Sequence, residues 1–168
     1  MTEHAYRGRG LEDLLDLAHA LYLGRGTAMV RHYHLAARFR GGRQGSHLAA
    51  LDKSQQPPDY HAALAPEGRL VVFDAKETKD GAAWSLDDRY RHQYERLKDW
   101  SGFGALAFFA VLCLPRDRLF ILRVLPSSPW PRLDFEVPGE PAGVTVVAPT
   151  DEGWFDWLRA VRERGWID

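Results

Sequence analysis

The order of helical and strand-like segments along the chain constrains its fold more than any other feature of the sequence. From the N-terminus the pattern predicts helix, strand, excursion, strand, helix, strand, strand, strand and helix. The amphipathic helices are predicted over residues 10–23, 85–100 and 151–165, with Ser85 as the N-cap of the second. Strands alternating with helices favour an α/β fold with a mixed central β-sheet flanked by helices.

Five strands are predicted, and a basic, loop-like segment separates the first two. The strand patterns cover residues 27–39, 68–76, 104–114, 117–125 and 143–148. Between them, the glycines, arginines and prolines of "RGGRQGSHLAALDKSQQPP" indicate an excursion out of the core. A chain of 168 residues is long enough for one core and too short for two, so a single domain over residues 1–168 is predicted.

Composition places the chain among ordinary globular proteins, with 45% hydrophobic and 27% charged residues. Its single cysteine, Cys113, lies in the apolar run "GALAFFAVLCL", which predicts a buried thiol and suits a reducing compartment. The first ten residues lack the apolar stretch of a signal peptide, and no apolar run reaches the roughly 18 residues of a membrane span. We therefore expect a cytoplasmic protein without a membrane partner.

The net charge of −1 conceals an uneven distribution along the chain. Residues 25–53 carry six basic side chains against one acid, whereas residues 126–168 carry four arginines against eight acids. A clustered positive segment attracts the phosphate backbone of nucleic acid, although a solvated basic loop has the same composition.

An acid and a base lie two residues apart at the end of a predicted strand, in "LVVFDAKETKD". Because side chains alternate along a strand, Asp74 and Lys76 share one face, and Phe73 and Ala75 share the other. A salt bridge at a strand end is one interpretation of this pair.

Asp59 supplies a second carboxylate and a chemical interpretation. It follows Pro58, and fourteen residues separate it from Asp74, so the chain contains PD, a spacer and then DxK. Two carboxylates on adjacent strands provide hard oxygen ligands for Mg²⁺, and the carbonyl of Ala75 provides a third. Beside such a metal, Lys76 can orient or deprotonate the attacking water and offset negative charge on a phosphate.

Other chemistries find little support in the sequence. There is no GxxxxGK[ST], GxGxxG or GxSxG motif, and the lone cysteine lies in a core segment. His32 and His34 have strand spacing on one face, but a third convergent metal ligand is not evident. Metal-assisted hydrolysis is therefore favoured over covalent catalysis or nucleotide binding.

Three stretches, "RGRGLEDLLDLAHALYL", "PPDYHAAL…GRLVVFDAKETKDGAAWSL" and "YRHQYERLKDW", together resemble the RecU family of Holliday junction resolvases, in the PD-(D/E)XK nuclease superfamily. The resemblance implies a restriction-endonuclease-like fold with a stalk that projects from a homodimer into the junction. In this chain, residues 35–57 occupy the position of that stalk.

The resemblance also assigns roles by position. It implies that Asp59 and Asp74 bind the metal, that Lys76 acts on the attacking water, and that Glu12 and Gln93 complete the site. Glu12 lies with Asp16 and His19 along the flank of the apolar stripe of the first helix, so it is also explained as first-turn helix charge. Gln93 is alternatively a residue that borders the core. The expected DNA contacts are Arg38, Arg40, Arg43, Lys53, Thr78 and Lys79.

The function implied is a Mg²⁺-dependent endonuclease, with Mn²⁺ as the alternative metal, that resolves four-way junctions by paired symmetric nicks. Such activity belongs to recombination and repair, so other recombination proteins are candidate partners. The alternatives are another PD-(D/E)XK nuclease of restriction or phage type, and a non-catalytic module that binds junctions.

Overall fold

The computed structural model describes residues 10–33, 56–136 and 142–167. The stalk-like segment expected at residues 35–57 lies outside these ranges except for its last two residues. Five residues named in the sequence analysis also lie outside the described ranges: His34, Arg38, Arg40, Arg43 and Lys53.

A six-stranded mixed sheet forms the centre of the described chain, which confirms the predicted α/β class. Its strands are β1 (Ala28–His32), β2 (Tyr60–Leu64), β3 (Arg69–Thr78), β5 (Leu106–Cys113), β6 (Arg118–Val124) and β8 (Val144–Val147), adjacent in that order. Only the β3–β5 pair is parallel, and the other four pairs are antiparallel. A separate two-stranded sheet pairs β4 (Ala83–Ser85) with β7 (Arg132–Asp134).

Three helices cover the two faces of the sheet. They are α1 (Leu11–Gly24), α2 (Arg91–Gly102) and α3 (Trp157–Glu163). The cores place α1 and α3 on one face and α2 on the other. All eight residues of β5 are buried because both faces of this central strand are covered, and Cys113 is buried as expected. None of the helices in the described ranges is long and apolar enough to cross a membrane.

A row of stacked rings crosses four neighbouring strands on the α1 face. His32, Tyr60, Phe73 and Phe108 occupy directly opposed positions, with successive ring centroids 4.2, 4.7 and 4.7 Å apart. Cross-strand aromatic pairs of this kind stabilise one register over its alternatives. The row therefore fixes the alignment of β2 with β3, on which the site below depends, and gives His32 a structural role.

Several local expectations were wrong. Ser85 does not cap a helix, because it pairs with Arg132 in the small sheet; a 3₁₀ turn over Asp88–Tyr90 precedes α2, and Asp87 caps that turn. The last helix begins at Trp157, capped by the side chain of Asp156, and not at residue 151. The strands β2, β4 and β7 were not predicted, since they have only five, three and three residues.

His19, which the sequence places along the flank of the apolar stripe of α1, is buried. Its Nε2 accepts a hydrogen bond from Trp157 Nε1 at 3.2 Å, and its ring packs edge-on against Tyr60 at 5.2 Å. Burial, reinforced by the nearby His32, lowers the pKa of His19 to about 3. The neutral imidazole is thus part of the packing between α1, α3 and the sheet.

Candidate active site at the ends of β2 and β3

Asp59 and Asp74 lie opposite each other where β2 begins and β3 approaches its end. The antiparallel register pairs Tyr60 with Phe73, so the preceding Asp59 faces the following Asp74 on the α2 side of the sheet. The amide of Asp59 donates to Asp74 Oδ1 at 3.4 Å, and the amide of Ala75 donates to Asp59 Oδ2 at 3.1 Å. Backbone hydrogen bonds therefore hold the two carboxylates together, as the PD and DxK motif predicts.

The two carboxylates have different environments. Asp74 is fully buried, whereas the side chain of Asp59 is 34% exposed. Burial first and the charge of Asp59 second raise the pKa of Asp74 to about 7, with Lys76 acting in the opposite direction. Within the described residues, Oδ2 of Asp74 is enclosed without a hydrogen-bond partner. A buried carboxylate oxygen of this kind favours a cation beside it.

Lys76 occupies the same face of β3, next to Asp59. Its Nζ lies 3.9 Å from Asp59 Oδ2 and 5.2 Å from the centre of the Tyr90 ring, and its side chain is only 17% exposed. A short, partly desolvated contact with an acid and an aromatic face holds the ammonium in a narrow range of positions. The predicted sharing of one face by Asp74 and Lys76 is confirmed by this geometry.

The donor set fits a divalent metal. Hard oxygen ligands are available from the carboxylates of Asp59 and Asp74, and the carbonyl of Ala75, next to Asp74 in the chain, is the third oxygen that the motif predicts. No group of three or more His, Cys, Asp or Glu side chains gathers as a metal site in residues 10–33, 56–136 and 142–167. Mg²⁺ suits this sparse set, because it usually keeps several waters and takes only one or two protein carboxylates.

The first turn of α1 lies beside the end of β3, which brings Glu12 near Lys76. Both residues line a groove of about 340 Å³ formed by the helix start and by residues 75–77. The Gly10 N-cap has no side-chain cap; instead, Glu77 of β3 accepts a hydrogen bond from the amide of Leu11. Sequence reasoning missed this role of Glu77, and the absence of a capping side chain at Gly10 was the signal for it.

Gln93 lies on the partly buried face of α2. Its Oε1 is enclosed and has no hydrogen-bond partner within the described chain, so the side chain is available to a ligand or borders the core. One turn later, Arg96 interacts electrostatically with both Asp74 and Asp59. Sequence reasoning also missed Arg96, although its position three residues after Gln93 places it on the same side of the helix.

The proposed phosphate contacts lie just beyond the carboxylates. Thr78 Oγ1 accepts a hydrogen bond from the amide of Asp80 at 3.1 Å, and Lys79 is exposed.

A second groove of about 510 Å³ borders Lys76 on the side of Trp84 and Tyr90. A groove of about 1020 Å³ between β6 and β7 contains none of the site residues. The Lys76 side chain thus has accessible space on both flanks of the site.

The chain is similar in sequence to several proteins named Holliday junction resolvase RecU. The chain is 25% identical to Holliday junction resolvase RecU of Pediococcus pentosaceus over 122 residues, or 70% of this chain and 60% of the relative. It is 25% identical to the same-named protein of Ligilactobacillus salivarius over 126 residues, or 72% and 58% of the two chains. With that of Bacillus thuringiensis it shares 27% identity over 129 residues, or 73% and 64%. The chain therefore spans about six tenths of the length of these relatives.

A solved structure and a family model were also matched. The structure is Archaeoglobus fulgidus Hjc, a Holliday junction resolvase from an archaeal hyperthermophile, with 16% identity, a TM-score of 0.34, and coverage of 83% of this chain and 88% of that one. The family model of RecU, described as Recombination protein U, matches residues 6–130. That range includes every site residue from Glu12 to Arg96, and with this match over most of its length the chain belongs to the RecU family.

Proposed function

We propose that this chain is a divalent-metal-dependent endonuclease that resolves four-way DNA junctions. The observation that carries the proposal is the pair of carboxylates on Asp59 and Asp74, with Lys76 Nζ 3.9 Å from the former, in a member of the RecU family. The curated relatives quoted above are named Holliday junction resolvases, which supports junction DNA as the substrate.

The metal site would use the carboxylates of Asp59 and Asp74 and the carbonyl of Ala75. A bound Mg²⁺, or Mn²⁺ in its place, would supply positive charge at the scissile phosphate and make water more acidic. The buried position of Asp74 closes the inner side of the site to solvent. The half-exposed Asp59 borders the side from which a phosphate can enter.

Lys76 acts on the substrate side of this arrangement. Its ammonium, held by Asp59 and Tyr90, orients the attacking water and offsets the negative charge that builds up on the phosphate. The water oxygen forms a bond to phosphorus and gives up a proton, while the bond between phosphorus and the 3′ oxygen breaks and that oxygen takes up a proton, so one water is consumed for each bond cleaved. The products are a 5′-phosphate and a 3′-hydroxyl. Glu12 and Gln93 border the site from α1 and α2, and Thr78 and Lys79 extend it along the strand end.

Paired cleavage requires two such sites. A homodimer with two-fold symmetry would present them to strands of matching polarity, as a four-way junction demands. The basic segment with Arg38, Arg40, Arg43 and Lys53 would contact phosphates at the junction centre. Its structure lies outside the described residues, so its role as a stalk remains a prediction.

The test is cleavage of three labelled substrates: a mobile four-way junction, a linear duplex and a single strand. Each is incubated with Mg²⁺, with Mn²⁺ and with a chelator, using wild type and Asp74→Asn. We expect paired nicks on the junction only, in the presence of metal only, and none with the variant. Equal cleavage of the linear duplex would favour a restriction-type or phage-type nuclease. Tight junction binding without nicking in any metal would favour a non-catalytic module.

A further inference from the structure

A second basic side chain, Arg96 on α2, interacts electrostatically with the two carboxylates. Arg96 is only partly exposed, and within the described residues its Nε and Nη1 atoms are enclosed without hydrogen-bond partners. Its strongest electrostatic partners are Asp74 and then Asp59, with burial lowering the pKa of its guanidinium. Two enclosed guanidinium nitrogens without hydrogen bonds are costly, so a favourable electrostatic interaction is needed to offset that cost.

The contacts of α2 locate Arg96 along the sheet. At the start of the helix, the Tyr90 ring lies 5.2 Å from Lys76 Nζ, and near its end the Trp100 ring lies 5.6 Å from the ring of His61 on β2. Arg96 lies between these two contacts, one turn before Trp100. It therefore faces the part of β2 and β3 that carries Asp59 and Asp74. Burial, and then the charge of Arg96, lower the pKa of His61 on β2.

Lys76 and Arg96 both act on the pair of carboxylates, Lys76 from β3 and Arg96 from α2. Lys76 contacts Asp59, the half-exposed member of the pair, at 3.9 Å. Asp74 is fully buried and has an oxygen without a hydrogen-bond partner in the described chain, and it interacts electrostatically with Lys76 and with Arg96. Two adjacent carboxylates repel each other strongly where the local dielectric constant is low. The positive charges of Lys76 and Arg96 reduce this repulsion, and Arg96 does so from α2.

We propose that Arg96 is a positioning residue, an internal counter-ion that holds Asp59 and Asp74 together when no metal is bound and that opposes the metal once it binds. The second half of this statement rests on the proposed function, because it requires a divalent cation at the carboxylates. Arg96 and the metal both offset the repulsion between the two carboxylates. Each therefore reduces the additional stabilisation that the other can provide. The site is preassembled at the expense of metal affinity.

The first experiment is a double-mutant cycle on the full chain without metal. Thermal unfolding is measured with a chelator in weakly alkaline buffer for wild type, Arg96→Gln, Asp74→Asn and the double variant. We expect Arg96→Gln to lower the Tm by about 4 °C or more, and to lower it far less in the Asp74→Asn background. Arg96→Lys should retain part of the stability, because it keeps the charge. An equal loss in both backgrounds would overturn the proposal and make Arg96 a packing residue.

The control for helix effects is Arg91→Gln, since Arg91 lies on the same helix but pairs with the exposed Asp88 at 2.7 Å. Its effect should be the same with Asp74 or Asn at position 74. If the change in Tm caused by Arg91→Gln depended on Asp74 as strongly as the change caused by Arg96→Gln, the cycle would be reporting the total charge and not a local counter-ion. That result would overturn the assignment.

The second experiment is a Mn²⁺ titration followed by electron paramagnetic resonance. Arg96→Gln should bind Mn²⁺ about threefold or more tightly than wild type, because a positive charge near the ion has been removed. Equal or weaker binding would refute the opposition between Arg96 and metal. If neither protein binds Mn²⁺, the metal site of the proposed function is refuted, and so is the claim that Arg96 opposes metal binding. The double-mutant cycle without metal still decides whether Arg96 is the counter-ion.

Discussion

Leu11 and Glu77 are 66 residues apart in the chain and are joined by a hydrogen bond from the first amide of α1 to a carboxylate on β3. Glu77 directly follows Lys76, and Leu11 directly precedes Glu12. The bond therefore connects the helix that carries one proposed site residue to the strand that carries four others, Asp74, Ala75, Lys76 and Thr78. It also satisfies an amide at a helix start where Gly10 offers no capping side chain.

Replacing Glu77 by Ala should lower the free energy of unfolding by about 1 kcal/mol, which is typical for loss of a carboxylate at a helix N-terminus. Urea denaturation of the metal-free protein measures the change. The matched control is Lys79→Ala, an exposed substitution two residues further along. A Glu77 variant as stable as the control would show that the contact contributes nothing to the anchoring of α1.

The stability of the metal-free protein should depend on the ionisation of Asp74. Its pKa of about 7 in the folded chain lies above that of an unfolded aspartate, about 3.9, so the folded state binds the extra proton between these values. The corresponding stability is fully present below about pH 4 and is lost as the pH rises through about 7. Asp74→Asn removes this dependence, and so its stability relative to wild type should increase with pH.

Denaturation curves in chelator between about pH 5 and 8 test the sign of this effect. Asp88→Asn is the matched control, because Asp88 is exposed and pairs only with a surface arginine in the described chain. Parallel pH profiles for wild type and Asp74→Asn would contradict the raised pKa.

Loss of any one of three side chains should abolish nicking. Asp59→Ala and Asp74→Ala remove the proposed metal ligands, and Lys76→Ala removes the proposed charge beside the phosphate, so each should reduce the rate at least about 100-fold. Junction affinity should stay within a few-fold of wild type, since these changes do not remove the basic segment. Gel assays and fluorescence anisotropy measure the two quantities.

Lys98→Ala serves as the control for loss of a lysine, because Lys98 pairs with Glu95 on the surface of α2. This variant should cut at the normal rate. Normal cleavage by Asp74→Ala would refute the metal assignment.

Assembly should be dimeric in solution. Symmetric incision of a junction requires two sites related by a two-fold axis, and an isologous dimer provides that relationship. Sedimentation equilibrium at micromolar concentration should therefore give a mass near twice 19.1 kDa. A strict monomer, both free and with junction DNA, would leave paired incision unexplained and favour a simple nickase.

The basic segment should matter more for junctions than for duplex DNA. If Arg38, Arg40 and Arg43 contact phosphates that meet only at the junction centre, their replacement by Ala should weaken junction binding selectively. Each lost phosphate contact lowers the salt slope of binding by roughly 0.9, so the triple variant should lose up to about 2.7 on the junction. Anisotropy titrations at several salt concentrations, on junction and on linear duplex of equal length, give both slopes. Equal losses on the two substrates would identify a non-specific basic loop.

Local pattern was sufficient for the elements with strong periodicity. The two-residue alternation of a strand placed Asp74 and Lys76 on one face and Phe73 on the other, and the structure has this arrangement. The apolar run around Cys113 predicted a buried strand, since eight successive buried residues require cover on both faces. The α/β class followed from the order of the elements, and the spacing of the motif indicated that Asp59 would join Asp74.

Contacts between distant segments decided which side chains are buried and which short strands form, because no local pattern encodes which helix and sheet faces pack together. His19 has the spacing of a flanking residue, yet Trp157, 138 positions later, buries it. The short strand β4 exists only because β7 pairs with it, and so Ser85 became part of a sheet instead of a helix cap. The hydrogen bond of Glu77 to the start of α1 and the electrostatic interaction of Arg96 with Asp74 both depend on the position of β3 between α1 and α2. The sequence by itself determined the residue types of the site, while the packing of helices on the sheet determined which other side chains surround them.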